Sequence, residues 1–366
     1  MVSESKQRRL NVKKIRYGII GFGNIAYNRI AKEGFCLDSS RFEKMESIEV
    51  IGATDLDKSK KSLAQELGIP WYDSAEKLID EPLLDAVFIT TNNLSHAPLA
   101  QKAMEAGKHC VIEKPIATTI KDALDLKETA LKKNVSLMVD HMMTHNVLNK
   151  KASEMVQKEE FGEVNDICLH MEFSFGASPE EAKSWRCNNP AELGGPLGDV
   201  GCHCMYMGEM LLGSRISSLS CVYLPRTLNI AVENGAFIQC VFENGVSGTI
   251  RVAFNQPRGG LESTLTNLGY EVYGSRGVLR GYGTLFQLSG HSDEPIKLRL
   301  ELDTHSSVKM ISVQKMENIY NQVIRRHAQS ILDNTPFDGS DAVHNLELLE
   351  ACHESANNQG KQIQIG

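Results

Sequence analysis

The sequence contains no apolar run approaching the roughly 18 residues that a membrane-spanning helix requires. It has no basic excess either: a net charge of -7 and a pI near 5.9 supply no positive field for nucleic acid or an anionic membrane surface, which leaves a small molecule as the expected partner. Cysteine follows no framework. The nine residues, at 36, 110, 168, 187, 202, 204, 221, 240 and 352, are odd in number and irregularly spaced, as expected of reduced thiols in a cytoplasmic protein. No internal repeat and no low-complexity tract interrupts the chain. The polar, basic segment Met1 to Lys14 has no apolar stretch behind it, so a loosely packed arm is expected over 1–14 and not a secretory signal.

At 366 residues the chain exceeds what one core usually serves, and two domains are expected. Up to residue 140, apolar strand-like runs alternate with amphipathic helical stretches, which predicts a doubly wound parallel sheet. Its first strand, Ile15 to Ile20, runs into Gly21-Phe22-Gly23-Asn24-Ile25-Ala26. In that context the first glycine makes a tight turn, the second lets a pyrophosphate approach the backbone, and Ala26 lets the next helix pack closely. The second strand, Ile48 to Thr54, ends at Asp55, an acid placed to accept ribose hydroxyls and to repel a 2′-phosphate, so NAD is favoured over NADP. Further strands are expected at Trp71-Tyr72, Ala86 to Thr90, His109 to Ile112 and Ser136 to Asp140. Thr91 and Asn92, at one of these strand ends, are candidate cofactor contacts. The run His109 to Ile112 ends in Glu113-Lys114-Pro115, where the proline stops strand pairing and presents Lys114 at the carboxyl edge of the sheet.

Beyond residue 140 the pattern becomes α+β. A helix is expected at Val147 to Lys158, followed by an alternating strand, Glu163 to Phe175, with Asp166, Cys168, His170, Glu172 and Ser174 on its polar face. More β-rich segments fall at 216–223, 236–242, 246–254, 269–273, 277–280 and 296–302, and closing helices at 313–333 and 342–357. Trp185-Arg186 and the glycine-rich run from Gly194 lead into Asp199-Val200-Gly201-Cys202-His203-Cys204. A four-residue separation puts Asp199 and His203 on one helical face, a carboxylate beside an imidazole that can take a proton from an alcohol near neutral pH. Cys202 and Cys204 flank His203 but diverge from it by about 100° each, and no second cysteine pair stands at zinc spacing, so no metal is expected.

These ordered motifs, namely Gly21 to Ala26, Thr91-Asn92 with His96, Gly107-Lys108-His109, Glu113-Lys114-Pro115, and Gly194-Gly195 through Asp199 and His203, resemble the glucose-fructose oxidoreductase, inositol dehydrogenase and rhizopine-catabolism (Gfo/Idh/MocA) oxidoreductases. The resemblance covers nearly the whole chain. It implies a Rossmann domain over 15–140 and an α+β domain over 141–366, built on a large, mostly antiparallel open sheet that serves for substrate binding and homo-oligomerisation. It places a nicotinamide cofactor at the junction, with His203 as the acid/base, Lys114 positioning substrate and cofactor, and Asp199 supporting His203. Gly21, Phe22, Gly23, Asn24, Ile25, Asp55, Thr91, Asn92, His96, Glu113 and Lys114 then fall on the cofactor side. Met143, His145, Glu172, Trp185, Arg186, Asp199 and His203, with Lys114, fall on the substrate side. The chain departs from the family where Thr91-Asn92-Asn93 lacks the proline often found after the threonine, and where Met143-Thr144-His145 stands in place of an arginine and an aromatic residue that are often present, which points to a differently lined pocket.

The expectation is an NAD-dependent dehydrogenase acting on a secondary hydroxyl of a sugar, a glycoside (with the resemblance suggesting C3) or a cyclitol. A reductase of an oxo-sugar or another carbonyl, working with NADH or NADPH, is the alternative within the same architecture, and a dinucleotide-binding sensor without chemistry the alternative outside it.

Overall fold

The computed structural model describes residues 14–256 and 269–366; residues 1–13 of the expected arm lie outside it. Five parallel strands, β1 (Ile15–Ile20), β2 (Ile48–Thr54), β3 (Ala86–Ile89), β4 (His109–Ile112) and β5 (Leu137–Val139), form the first sheet in the order β2-β1-β3-β4-β5. β3 and the apolar residues of β4 and β5 are buried, as strands covered by helices on both faces must be. The strand expected at Trp71-Tyr72 is reduced to a single parallel bridge between Ala53 and Trp71 on the outer side of β2. Counting that bridge, the order is the doubly wound nucleotide-binding one, with its switch point between β1 and β3.

Gly21 occupies the switch point at φ 88°, and a Cβ there would stand 2.9 Å from the Thr90 backbone. The following helix, Ala26–Gly34, closes wider, five-residue hydrogen bonds, as in Phe35 N–H to the Ile30 carbonyl at 2.7 Å.

The second sheet is mostly antiparallel. Among the described residues its strands are β6 (Val164–Glu172), β7 (Ile216–Tyr223), β8 (Gly235–Phe242), β9 (Ser247–Ala253), β10 (Gly269–Gly274), β11 (Gly277–Tyr282), β12 (Arg299–Thr304), β13 (Ser307–Ile311) and β14 (Ile363–Gln364). They run in the order β13-β12-β11-β10-β6-β9-β8-β7-β14, with β6 and β9 parallel. β13 and β14 were not legible: both are edge strands, and their partly or fully exposed side chains give no burial alternation. The helix expected from Val313 begins at Ile319, where the Asn318 side chain caps it by accepting the Asn321 N–H at 2.9 Å. The last helix starts at Ser340 and runs to Asn357.

The helix Ile319–Leu332 follows the second sheet in sequence yet packs against the first. Tyr17 Oη lies 2.8 Å from His327 Nδ1, Ser136 Oγ lies 3.0 Å from Ser330 Oγ, and Asn321 Nδ2 donates to the Gly34 carbonyl at 2.8 Å. The segment 141–366 thus returns one helix to the Rossmann side and ties the two sheets into one seam.

Gly21→Ala should lower stability by about 1–3 kcal/mol, because a non-glycine residue at this positive φ must also displace the Thr90 backbone. Urea unfolding monitored by circular dichroism measures the change; an unaltered midpoint would show that the turn relaxes freely.

Candidate active site

The parallel sheet delivers Lys114 just beyond β4, where the Glu113 N–H donates to the Ile89 carbonyl at 2.9 Å and so continues the strand register to the sheet's edge. From there the Lys114 side chain reaches the second half of the molecule. Its Nζ donates to the Asp199 backbone carbonyl at 2.6 Å and to Asp199 Oδ1 at 3.2 Å. An ammonium has three donors, so one remains for an incoming oxygen. Arg186 Nε also donates to Asp199 Oδ1, at 3.3 Å, and its guanidinium lies 4.5 Å from the centre of the Trp185 ring. Lys114, Asp199, Arg186 and Trp185, all expected at the site, are therefore in one cluster.

Burial works against the charge on Lys114, but the Asp199 carboxylate outweighs it with help from Cys202 and Glu113, and the ammonium is held above the ordinary lysine range. Burial likewise opposes ionisation of Asp199, yet Lys114 and Arg186 bring its pKa down to about 2. The result is a charged lysine clamped by a charged aspartate in a largely dry place.

Asp199 sits in a wide helical turn, Leu197–Gly201, which leads into the regular helix Cys202–Leu212. Only glycine fits at 198: a Cβ there would stand 1.8 Å from the Leu193 carbonyl oxygen. The wide turn also departs from the 3.6-residue register on which the four-residue spacing was read. Asp199 is directed to Lys114 and Arg186, and it acts on His203 through its field and not through a hydrogen bond. The side chain that orients His203 is Tyr206, one regular turn on: its hydroxyl lies 2.7 Å from His203 Nδ1. Tyr206 is held in turn by the Met143 N–H and by the His141 ring, stacked on it at 4.4 Å. With Nδ1 facing Tyr206, Nε2 is the nitrogen left for chemistry. Burial and the Lys114 charge push the His203 pKa well below the ordinary value, so the imidazole is neutral at pH 7 and able to accept a proton.

At the end of β2, Asp55 does structural work. Its Oδ2 accepts the Phe22 N–H at 2.5 Å and its Oδ1 the Asp57 N–H at 2.8 Å, which pins the glycine turn to the end of β2. Each oxygen keeps a second lone pair for a ribose hydroxyl. A Cβ on Gly23 would meet nothing within 4 Å, so the turn faces open space and its backbone is accessible to an anion. Asn24 Oδ1 accepts from Asn28 Nδ2 at 2.6 Å, and Ile25 precedes the helix.

Asn92 and His96 are committed to the fold. The Asn92 amide donates to Glu192 Oε1 at 2.5 Å, and Glu192, buried, also accepts the Leu94 N–H at 2.8 Å and, through its carbonyl, Asn93 Nδ2 at 2.6 Å. Glu192 is a clamp between the two halves that the sequence did not single out, since no pattern joins it to a loop about 100 residues earlier. His96, fully buried, bonds through Nδ1 to the Pro115 carbonyl at 2.8 Å, and its Nε2 lies 3.2 Å from the Thr91 carbonyl. It fixes the turn after Lys114 against the end of β3.

Three substrate-side candidates stand differently. Glu172, expected on a polar strand face, is buried in an ion pair with Arg251 at 2.6 Å. The Met143 side chain is buried and contributes its backbone to Tyr206. His145 lines a cleft together with His141, Thr144, Arg326 and Tyr206. No group of three or more metal-ligating side chains is found among the described residues, nor any helix long and apolar enough to cross a membrane.

A model of an oxidoreductase family with an NAD-binding Rossmann fold matches residues 15–141, and a model of the GFO/IDH/MocA C-terminal domain matches residues 149–280. An uncharacterised oxidoreductase of Bacillus subtilis is 25% identical, with 95% of this chain and 96% of the relative covered. A dTDP-3,4-didehydro-2,6-dideoxy-alpha-D-glucose 3-reductase of Actinomadura kijaniata is 26% identical over 74% of this chain and 75% of its own. Among solved structures, the aldose-aldose oxidoreductase of Caulobacter crescentus superposes with a TM-score of 0.81 at 20% identity, over 96% of this chain and all of that one.

Four buried histidines are neutral in the folded state: burial lowers His203 well below its ordinary value, His141 to about 4, and His145 and His327 to about 3. The unfolded chain takes up their protons below about pH 6.5 and the folded chain does not, so stability should fall as pH drops from about 6.5, by about 1 kcal/mol per histidine over the first unit. Urea midpoints at pH 7.5 and 5.5 measure this, and equal midpoints would mean that the rings protonate in place. Tyr206→Phe should cost about 1–3 kcal/mol by leaving His203 Nδ1 buried and unpaired, read from the same unfolding curves.

Proposed function

The chain belongs to the Gfo/Idh/MocA oxidoreductase family, and on that premise we propose an NAD-dependent dehydrogenase acting on a secondary hydroxyl of a sugar, a glycoside or a cyclitol. The observation that carries this reading is the meeting, at one seam, of a charged lysine with a free N–H, a carboxylate that holds it, and a neutral histidine with one nitrogen uncommitted.

When bound, the nicotinamide supplies the hydride acceptor. Gly21, Phe22, Gly23, Asn24 and Ile25 would hold its pyrophosphate, with Asp55 at the ribose, and the open space before Gly23 fits that role. The protein's own part is proton handling. His203 Nε2 takes the hydroxyl proton, and the positive charge formed on the ring is met by the Tyr206 oxygen at Nδ1 and by the field of Asp199. Lys114 turns its third N–H to the same substrate oxygen and stabilises the negative charge that develops there. Asp199 prevents the lysine from rotating away. Substrate hydroxyls would be matched by Arg186 and Trp185 beside Asp199, whereas His145 lines a cleft that includes none of Lys114, Arg186, Asp199 and His203, and the Met143 side chain is fully buried; a glycoside C3 hydroxyl is the position the family resemblance suggests.

A second reading, reduction of an oxo-sugar by the same groups run in reverse, is favoured by the Actinomadura relative, which is a 3-reductase. Asp55 supports NAD over NADP in either direction. Association into a homo-oligomer is proposed through the outer face of the second sheet, where Val222 of β7 and Val241 of β8 are 44% and 39% exposed. Nine free thiols suit a reducing cytoplasm.

Lys114→Ala and His203→Ala should each keep NAD binding, measured by fluorescence titration, while turnover in a screen of sugars, glycosides and inositols falls by roughly 10²–10⁴-fold. Nearly normal turnover in either variant would sink the assignment. Asp55→Ala should narrow the difference in affinity between NAD and NADP, read by the same titration; an unchanged ratio would remove Asp55 from the selection.

A further inference from the structure

Beneath Lys114 lies a second acid that neither the sequence motifs nor the proposed reaction uses. Asp140 follows β5 as Glu113 follows β4, and the parallel register pairs Ile112 with Val139, so one step further the two acids stand opposite each other. The Asp140 N–H donates to the Ile112 carbonyl at 2.8 Å, which extends the ladder to this point. Asp140 is fully buried. Among the described residues no donor reaches either of its carboxyl oxygens or Glu113 Oε1, while Glu113 Oε2 accepts the Lys114 N–H at 3.1 Å.

Two facing carboxylates with three bare oxygens in a dry site are strongly unfavourable while both are charged. A single proton placed between them removes the repulsion and supplies the missing donor at once. We propose that Glu113 and Asp140 hold one proton between them and act together as positioning residues for Lys114, presenting one negative charge beneath it and not two. With that charge, Lys114 and Arg186 are balanced by Asp199 and the acid pair, and the cluster is neutral overall. A doubly charged pair would compete with Asp199 for the ammonium and draw it from the place where its third N–H can meet substrate.

The surroundings agree. Lys114 adjoins the pair and Arg186 acts on Glu113 from the other half of the molecule; Cys202 and Tyr206 face it from the helix Cys202–Leu212, and Tyr320 from the helix Ile319–Leu332. The Tyr320 hydroxyl is buried and without a hydrogen-bond partner among the described residues, so it does not discharge the acids. Burial first, and the facing carboxyl second, push Asp140 well above the usual carboxylate range; burial raises Glu113 as well, with Lys114 opposing.

Infrared spectroscopy of the ligand-free protein in D₂O at neutral pH should show the C=O stretch of a neutral carboxylic acid, lost both in Asp140→Asn and in Glu113→Gln. Absence of the band in the wild type, or its survival in Glu113→Gln, would overturn sharing, the latter because the proton would then belong to Asp140 through burial alone. A second measurement is independent of the band. The folded wild type retains a proton that the unfolded chain has released above about pH 4, so its stability should fall relative to Asp140→Asn as pH rises, until the pair titrates. A stability difference that does not vary with pH would also overturn the proposal. Neither measurement reads turnover, so the outcome is separate from that of the reaction proposed above.

Discussion

The ion pair between Lys114 and Asp199 is the contact on which the rest of the site depends. It joins a strand end of the first sheet to a helical turn beside the second across 85 residues of sequence, at 3.2 Å, with the lysine and aspartate side chains only 11% and 17% exposed. Breaking such a pair from one side typically costs 3–5 kcal/mol, because the remaining charge is left dry. That penalty is a reason for the two halves to keep one relative position. Glu192 reinforces it by accepting from the Asn92 and Leu94 nitrogens across the same seam, and the helix Ile319–Leu332 closes it from behind through His327, Ser330 and Asn321.

The division of labour among the charged groups follows from where water is excluded. Asp199 is ionised because two cations face it; Lys114 is charged because Asp199 faces it; His203 is neutral because it is buried near a cation and its hydroxyl partner Tyr206 imposes no charge. A base and a cationic hydrogen-bond donor can then coexist at pH 7 in one small volume. The same dryness makes the acids beneath them expensive, which is why a shared proton beneath Lys114 is the economical arrangement for Glu113 and Asp140.

Much of this was legible in the chain. The alternation of strands and helices to residue 139, the glycine turn at Gly21 and the presentation of Lys114 are local consequences of short-range pattern, and the structure keeps them nearly residue for residue. The site was legible in part: Lys114, Asp199, Arg186 and Trp185 do converge. Tyr206 and Glu192 were not legible, because a tyrosine on an apolar helix and a glutamate in a short loop carry no signal until a partner is seen. The edge strands β13 and β14 were missed for a related reason, since exposed side chains leave no burial alternation to read.

The assignment of Asp199 shows where the two kinds of information separate. By itself the sequence determined which residue types stand at strand ends and helix starts, because strand, turn and helix signals act within a few residues. Only the tertiary structure decided who meets whom. The close approach of Gly198 to the Leu193 carbonyl accompanies a wide turn, and with it Asp199 leaves His203 to Tyr206 and binds Lys114 instead. Hydrogen bonds between groups many residues apart depend on ångström-scale packing, and linear spacing does not carry that information.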